Sequence, residues 1–312
     1  MGFTHLHGHS TYSFLEAIWT PKQIVSKCKE LWYTSVWLTD LFSMYGAVKL
    51  YEACKDAEIK PIIWSELGFV LNISWFNKIE DIWNICLLAT NTDWYQNLMK
   101  IVSVANQEWI TWHPKIDIDT LWKNKEWIIA FMWWVDSWIW KMITRSESDD
   151  KILELIHLLQ DNLWKENVFL EIVAQNEKDN NNLAKINKKI LEIAKKEWIQ
   201  LITWNIYNYV NIWDKDAREM ALAIKDQKKI YDSDCRKPIW EFYLMSEDKI
   251  KEILVWNWYN ESDITTWMDT NWEIADKIDI KIIMGQALFP VYQTPKDVAD
   301  LYESIKDSLI SE

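Results

Sequence analysis

Short runs of apolar, β-branched residues alternate with stretches of helical periodicity along most of this 312-residue chain, and this alternation restricts the fold more than any other feature. A strand that is followed each time by a helix returns to the same side of a sheet, so repeated βα units build a mainly parallel sheet. Phe3 to His7 reads as the first strand. The next element runs from Thr20 to Leu31 as a helix, with Thr20 as N-cap and Pro21 in the first turn, where a missing N–H costs nothing. Ser35 to Leu38 and Lys60 to Trp64 read as strands, with a helix over Ser43 to Lys55 between them. The pattern continues with strands at Ile85–Ala89, Trp127–Met132, Val168–Val173 and Gln200–Thr203. Helices are expected at Asp93–Asn106, Asp150–Leu163, Leu183–Lys196 and Asp214–Lys225. Seven strands of this kind fit a distorted α/β barrel, a (β/α)7 arrangement, better than an open doubly wound sheet. The polar segment Asn176–Asn182 reads as an exposed loop, Gly285–Thr294 as an extended linker and Pro295–Ile310 as a final helix. The expected division is residues 1–284 as one domain and 285–312 as linker and lead-in to a further segment.

Composition excludes several classes. A formal net charge of −13 makes the average surface repel a phosphate backbone. Cys28, Cys54, Cys86 and Cys235 form no CxxC pair, so neither a zinc ribbon nor a disulfide framework is indicated; they read as buried fillers in a reducing, cytoplasmic setting. No run of about 18 apolar residues and no signal-peptide pattern occurs, which reads as a soluble, unexported protein with no membrane partner. No Gly-rich phosphate loop follows the first strand.

Tryptophan and glycine are distributed abnormally. There are 24 Trp and 5 Gly, where ordinary usage of about 7% would supply roughly 22 glycines. Trp32 and Trp198 directly follow helical runs, at positions where a left-handed backbone is common and a Cβ is penalised. Trp64, Trp133 and Trp134 stand at apparent strand ends, where close backbone approach favours glycine. We read many of these tryptophans as glycine in the living cell, since some bacterial lineages decode UGA as glycine while a common alternative translation table writes tryptophan. The other reading is a genuinely Trp-rich protein with aromatic packing.

His5, His7 and His9 alternate at the end of the first strand, and three of the chain's five histidines fall within five positions. Period 2 sets them on one face, and a strand-end HxH presents two imidazoles to one cation at a barrel mouth; a hydrogen-bonded histidine row is the plainer reading. The segment HLHGHSTYSFLEA resembles the first motif of the PHP (polymerase and histidinol phosphatase) domain found at the N-terminus of bacterial DNA polymerase III alpha subunits. VWLTDLFSMYGAVKLYEACKDAEIKPIIWSELGFV resembles the second and third, and LATNTDWYQNLMKIVS the helix that follows in the polymerase branch. The likeness continues through VFLEI, LITWNIYNY, EFYLMSEDKI and LFPVYQTP, and it improves where Trp is replaced by Gly.

The resemblance implies a distorted (β/α)7 barrel of the PHP type. It maps the family's metal ligands onto His7, His9 and Glu66, with Glu16 in place of the usual Asp and Asp40 at the acidic position of the second motif. Four further ligand positions fall on Leu41, Trp134, Ile206 and Asn208, which bind metal poorly or not at all. A trinuclear phosphoesterase site needs about nine ligands, so one weakly held zinc or manganese ion is the most this mouth should retain. The expected function is a catalytically silent domain of a replicase, supporting the polymerase and holding the proofreading exonuclease within the replisome. DNA would be met only through the full polymerase. An active metal-dependent phosphoesterase or 3′-5′ exonuclease is the alternative. The polymerase's own aspartate site lies beyond this chain in the family, and a truncated or split reading frame is the expected cause. His113 reads as a surface residue and His157, within LELIHLLQ, as a satisfied core histidine.

Overall fold

The computed structural model describes residues 3–71, 82–107, 114–123, 128–131, 137–179, 181–238 and 240–285, with Val298, Asp300, Tyr302, Ile305 and Lys306. Met1–Lys281 form one compact unit and Ile282–Glu312 a second. Among the described residues of the first, the strands are β1 (Ser35–Leu38), β2 (Lys60–Val70), β3 (Trp83–Ala89), β4 (Lys115–Asp117), β5 (Ile128–Phe131), β6 (Val168–Val173) and β7 (Leu201–Trp204). The helices are α1 (Pro21–Glu30), α2 (Ala47–Ala57), α3 (Thr92–Gln107), α4 (Ile118–Lys123), α5 (Trp138–Thr144), α6 (Asp149–Leu163), α7 (Asn181–Glu197), α8 (Lys215–Lys225), α9 (Glu247–Trp256) and α10 (Glu261–Asp276).

The strands form a curled sheet in the order β1-β2-β3-β5-β6-β7, with β4 also paired to β2. It is less uniformly parallel than the βα alternation predicts: β3 runs antiparallel to both β2 and β5. The cause is the length of β2, which continues past Trp64 to Val70 and so pairs Glu66 through Phe69 with the returning strand β3. The predicted first strand, Phe3–His7, is not a strand; the segment meets the sheet at its end, where Gly8 forms a bridge with Tyr207. That bridge closes the barrel. Thr39 N, just past β1, donates to Gly8 O at 2.8 Å, and His9 N donates to Tyr207 O, just past β7, at 2.9 Å. A side chain at Gly8 is impossible in this seam, because a Cβ would lie 1.7 Å from the Tyr207 ring.

β1, β6 and β7 are buried along their whole length, as strands with helices on one face and the barrel interior on the other should be. Each fully buried Leu or Ile, such as Leu170 and Ile202, contributes about 2–3 kcal/mol of apolar transfer free energy. α1 begins as predicted: Thr20 and Gln23 form a reciprocal capping box, and Pro21 is in the first turn. α9 and α10, absent from the sequence reading, start at Ser246 and Asn260, whose side chains accept from Lys249 N and Asp263 N. α10 braces the barrel, since buried Asn271 accepts from Thr203 N of β7 and donates to the carbonyls of Thr203 and Thr4.

Several local expectations change. The helix predicted from Ser43 starts at Ala47. Within the segment expected to be an exposed loop, Glu177 is pinned: its carboxylate accepts from Asn187 at 2.7 Å and Tyr259 at 2.6 Å. His157 is not a core residue; its side chain is 50% exposed and bonds Glu197 at 3.1 Å. All four cysteines are buried and free. His113, most of the predicted linker and most of the final helix lie outside the described residues.

Among the described residues, four of the nine non-glycine positions with left-handed φ are tryptophans. Trp32, Trp164, Trp198 and Trp258 have φ of 63°, 65°, 55° and 69°, and each directly follows a helix or its capping residue. Trp164, at φ 65° and ψ 141°, lies close to a region essentially reserved for glycine. Trp32, Trp198 and Trp258 are 87–90% exposed, so their rings pack against little. Trp37, Trp64 and Trp204 are different: they are buried in the barrel, with Trp37 and Trp64 rings 4.6 Å apart.

Candidate metal centre

The extended segment at Gly8 carries the first two candidate ligands, and its alternation turns His7 and His9 toward the same point. Glu66, on β2, reaches that point from the neighbouring wall. His7 Nε2 lies 2.9 Å from His9 Nε2 and 3.1 Å from Glu66 Oε2, and His9 Nε2 lies 3.3 Å from the same oxygen. Donors about 2.0 Å from a tetrahedral zinc ion would sit roughly 3.3 Å apart, so this triangle has the size of a single-ion shell. Glu66 is oriented from behind by Asn84, whose Nδ2 donates to Oε1 at 2.6 Å. Burial opposes ionisation of Glu66, but hydrogen bonds from His7 and His9 outweigh it and hold the carboxyl below the usual range. Burial also lowers the pKa of His7 to about 4, against the pull of Glu66, which leaves a neutral imidazole at neutral pH. A neutral imidazole beside a carboxylate is the protonation state a cation requires.

Cys86 is a donor that sequence reasoning missed. It faces Glu66 across the antiparallel pairing of β2 and β3, and its sulfur lies within 4.8 Å of the ligand atoms of His7 and Glu66. Nothing in the spacing signals this, because the pairing of these two strands is itself unexpected. Burial of Glu171 on β6, opposed by the Trp204 side chain, pushes its carboxyl well above the usual range. His5 takes a different role from its two neighbours: it bonds Met245 O at 2.7 Å, and burial lowers its pKa to about 4.

The remaining candidates are engaged elsewhere or lack donors. Asp40 accepts from Ser10 N and Ser13 Oγ, both at 2.8 Å, and from Ser10 Oγ, so it serves as a buried hydrogen-bond hub. Glu16 is bound to cations, Lys225 Nζ at 2.7 Å and Arg236 Nη1 at 3.1 Å. Leu41, Ile206 and Asn208 line the same cavity of about 490 Å³ as His9 and Glu66. Asn208 bonds His9 Nδ1 at 3.3 Å through Nδ2, holding the imidazole rather than a metal. Trp134 lies outside the described residues. His7, Glu66 and Cys86, with His9 beside them, could hold a metal ion, and Leu41 and Ile206, which offer no donor, line the adjoining cavity. A single bound ion there would supply Lewis-acid polarisation of an oxygen ligand.

The sequence model of the PHP domain matches residues 5–175, more than half of the chain. The chain belongs to the PHP family. Proteins similar to it include the DNA polymerase III subunit alpha of Borreliella burgdorferi, 28% identical over 97% of this chain and 26% of that protein. The subunit alpha of Campylobacter jejuni is 26% identical over 95% of this chain and 25% of its own length. That of Aquifex aeolicus is 28% identical over 74% of this chain. The homology is to the N-terminal region of these polymerases, and the chain spans about a quarter of the length of the first two. Among the described residues no helix is long and apolar enough to cross a membrane.

Proposed function

We propose that this PHP domain acts as a structural mount in a replicative DNA polymerase, not as a phosphoesterase. The observation that supports this most directly is the wall of the cavity: Leu41, Ile206 and Asn208 stand beside His9 and Glu66 where a metal cluster would need donors. In this reading the barrel supports the polymerase core of an alpha subunit, binds its proofreading exonuclease subunit and works in the cytoplasm as part of a replisome. Four buried thiols are compatible with that compartment. Co-purification of the chain with an exonuclease subunit from the same genome, with no release of nucleotides from a 3′ end in zinc or manganese, is the expected result. Metal-dependent hydrolysis abolished by His7→Ala would overturn it.

A second reading, a residual single-metal phosphoesterase, draws on the triangle of His7, His9 and Glu66 with Cys86 beside it. We also infer that the helix-terminal tryptophans are recoded glycines in the cell. Their left-handed backbones, and the bare exposure of Trp32, Trp198 and Trp258, support this, and coding DNA with UGG at Trp32, Trp164, Trp198 and Trp258 would refute it.

A further inference from the structure

Beyond His9 and Glu66, the wall of the cavity carries cations. Lys141, Arg218, Lys225 and Arg236 line it, against the carboxylates of Glu16 and Glu66, with Asp226 held behind Arg236. Such a concentration is unexpected in a chain of net charge −13. Arg218 is the decisive member. It is 6% exposed, its guanidinium stacks on the Phe242 ring at 4.3 Å, and its Nε donates to Glu16 O at 3.0 Å. Its Nη1 is buried and has no hydrogen-bond partner among the described residues. A desolvated guanidinium N–H without an acceptor is costly, and a planar fork of donors is the group best matched to a phosphate or carboxylate. Glu16 already shows that an anion is held here, gripped by Lys225 and Arg236 and 3.9 Å from Arg218 Nη2.

We propose that the mouth of this barrel is a metal-independent binding site for a phosphate dianion, held by Arg218, Lys225 and Arg236 in competition with the Glu16 carboxylate. The side chains supply the positive charge themselves, so anion binding does not require an ion at His7, His9 and Glu66. This stands apart from the mount reading and survives if that reading fails, since a bound anion needs neither a partner nor hydrolysis. Lys225 and Arg236 sit at the open side, with side chains 40% and 45% exposed, so the anion has access from solvent.

The test uses the full chain in excess EDTA. Inorganic phosphate is titrated by calorimetry, with melting temperature as a second readout. Saturable binding that falls about tenfold or more in the Lys225→Gln/Arg236→Gln double variant, and tightens in Glu16→Gln, is expected. Both substitutions are at the solvent edge, so the outcome does not depend on whether Arg218→Gln folds. No saturable binding, or binding unchanged in the double variant, or weakened in Glu16→Gln, would overturn the proposal. A single-stranded oligonucleotide with a terminal phosphate, compared with its hydroxyl-ended twin, identifies the source. Tighter binding of the phosphorylated strand than of inorganic phosphate assigns a strand end, and the reverse order assigns the free ion; either upholds the anion site.

Discussion

Replacing Trp32, Trp164, Trp198 and Trp258 together by glycine should stabilise this protein, which is the opposite of what removing four large aromatics ordinarily does. All four hold φ between 55° and 69°. A residue with a Cβ pays roughly 1–2 kcal/mol for a left-handed backbone, and glycine does not. Against this, glycine loses more backbone entropy on folding, about 0.5–1 kcal/mol. Little packing is forfeited at Trp32, Trp198 and Trp258, which are 87–90% exposed. The net gain is therefore about 0.5–1 kcal/mol at each of these three sites, roughly 1.5–3 kcal/mol in sum for positions on separate helix ends, while at Trp164, 43% exposed, lost packing offsets the relief of strain. Urea unfolding followed by far-UV circular dichroism would register it as a midpoint raised by on the order of 1 M at a slope of about 3 kcal/mol/M. Trp204→Gly is the control, since that ring is buried against His7 at 4.9 Å and its loss should cost about 3–5 kcal/mol. A quartet variant less stable than the parent would refute the strain argument.

Gly8→Ala should destabilise the barrel by about 3 kcal/mol or more or prevent folding, because its Cβ would overlap the Tyr207 ring; thermal melting checks this. In chelator, stability should decline as pH falls from about 6.5 to about 4. His5 and His7 are both held neutral by burial with pKa near 4, so their contributions are complete above 6.5 and are lost as the unfolded chain takes up the protons first, a loss of about 3 kcal/mol for each, measurable by urea titration across that range. Restoring donors by Leu41→His, Ile206→Asp and Asn208→His should raise the zinc or manganese stoichiometry above that of the parent, since all three line the cavity with His9 and Glu66; an unchanged count by elemental analysis would contradict this placement.

Six of the ten helices described above, α1, α2, α3, α6, α7 and α8, and most strands were legible in the sequence because burial imposes its period on them, whereas α4, α5, α9 and α10 were not. α1 announced itself through Thr20, Pro21 and Gln23, and β6 was bounded correctly as Val168–Val173. The seam at Gly8 was not legible: an extended segment paired on each side by a few backbone bonds has the same alternation as a full strand. The antiparallel return of β3 was hidden because a continuous apolar run does not reveal strand direction, and with it Cys86 was hidden opposite Glu66. His157 misled because it lies within an apolar run yet occupies the outward side of α6. His7, His9 and Glu66 emerged from motif spacing and converge in space, as do the donor-poor positions Leu41, Ile206 and Asn208. The cation lining escaped notice because Arg218, Lys225 and Arg236 lie far from the histidine motif in sequence and meet it only through folding.

Metal stoichiometry bears most directly on the single-ion shell. After incubation of the full chain with excess zinc or manganese and removal of unbound ions, elemental analysis should give no more than one equivalent per chain, lost in both His7→Ala and Glu66→Ala. Two or three equivalents per chain, accompanied by release of nucleotides from a 3′ end, would contradict the account.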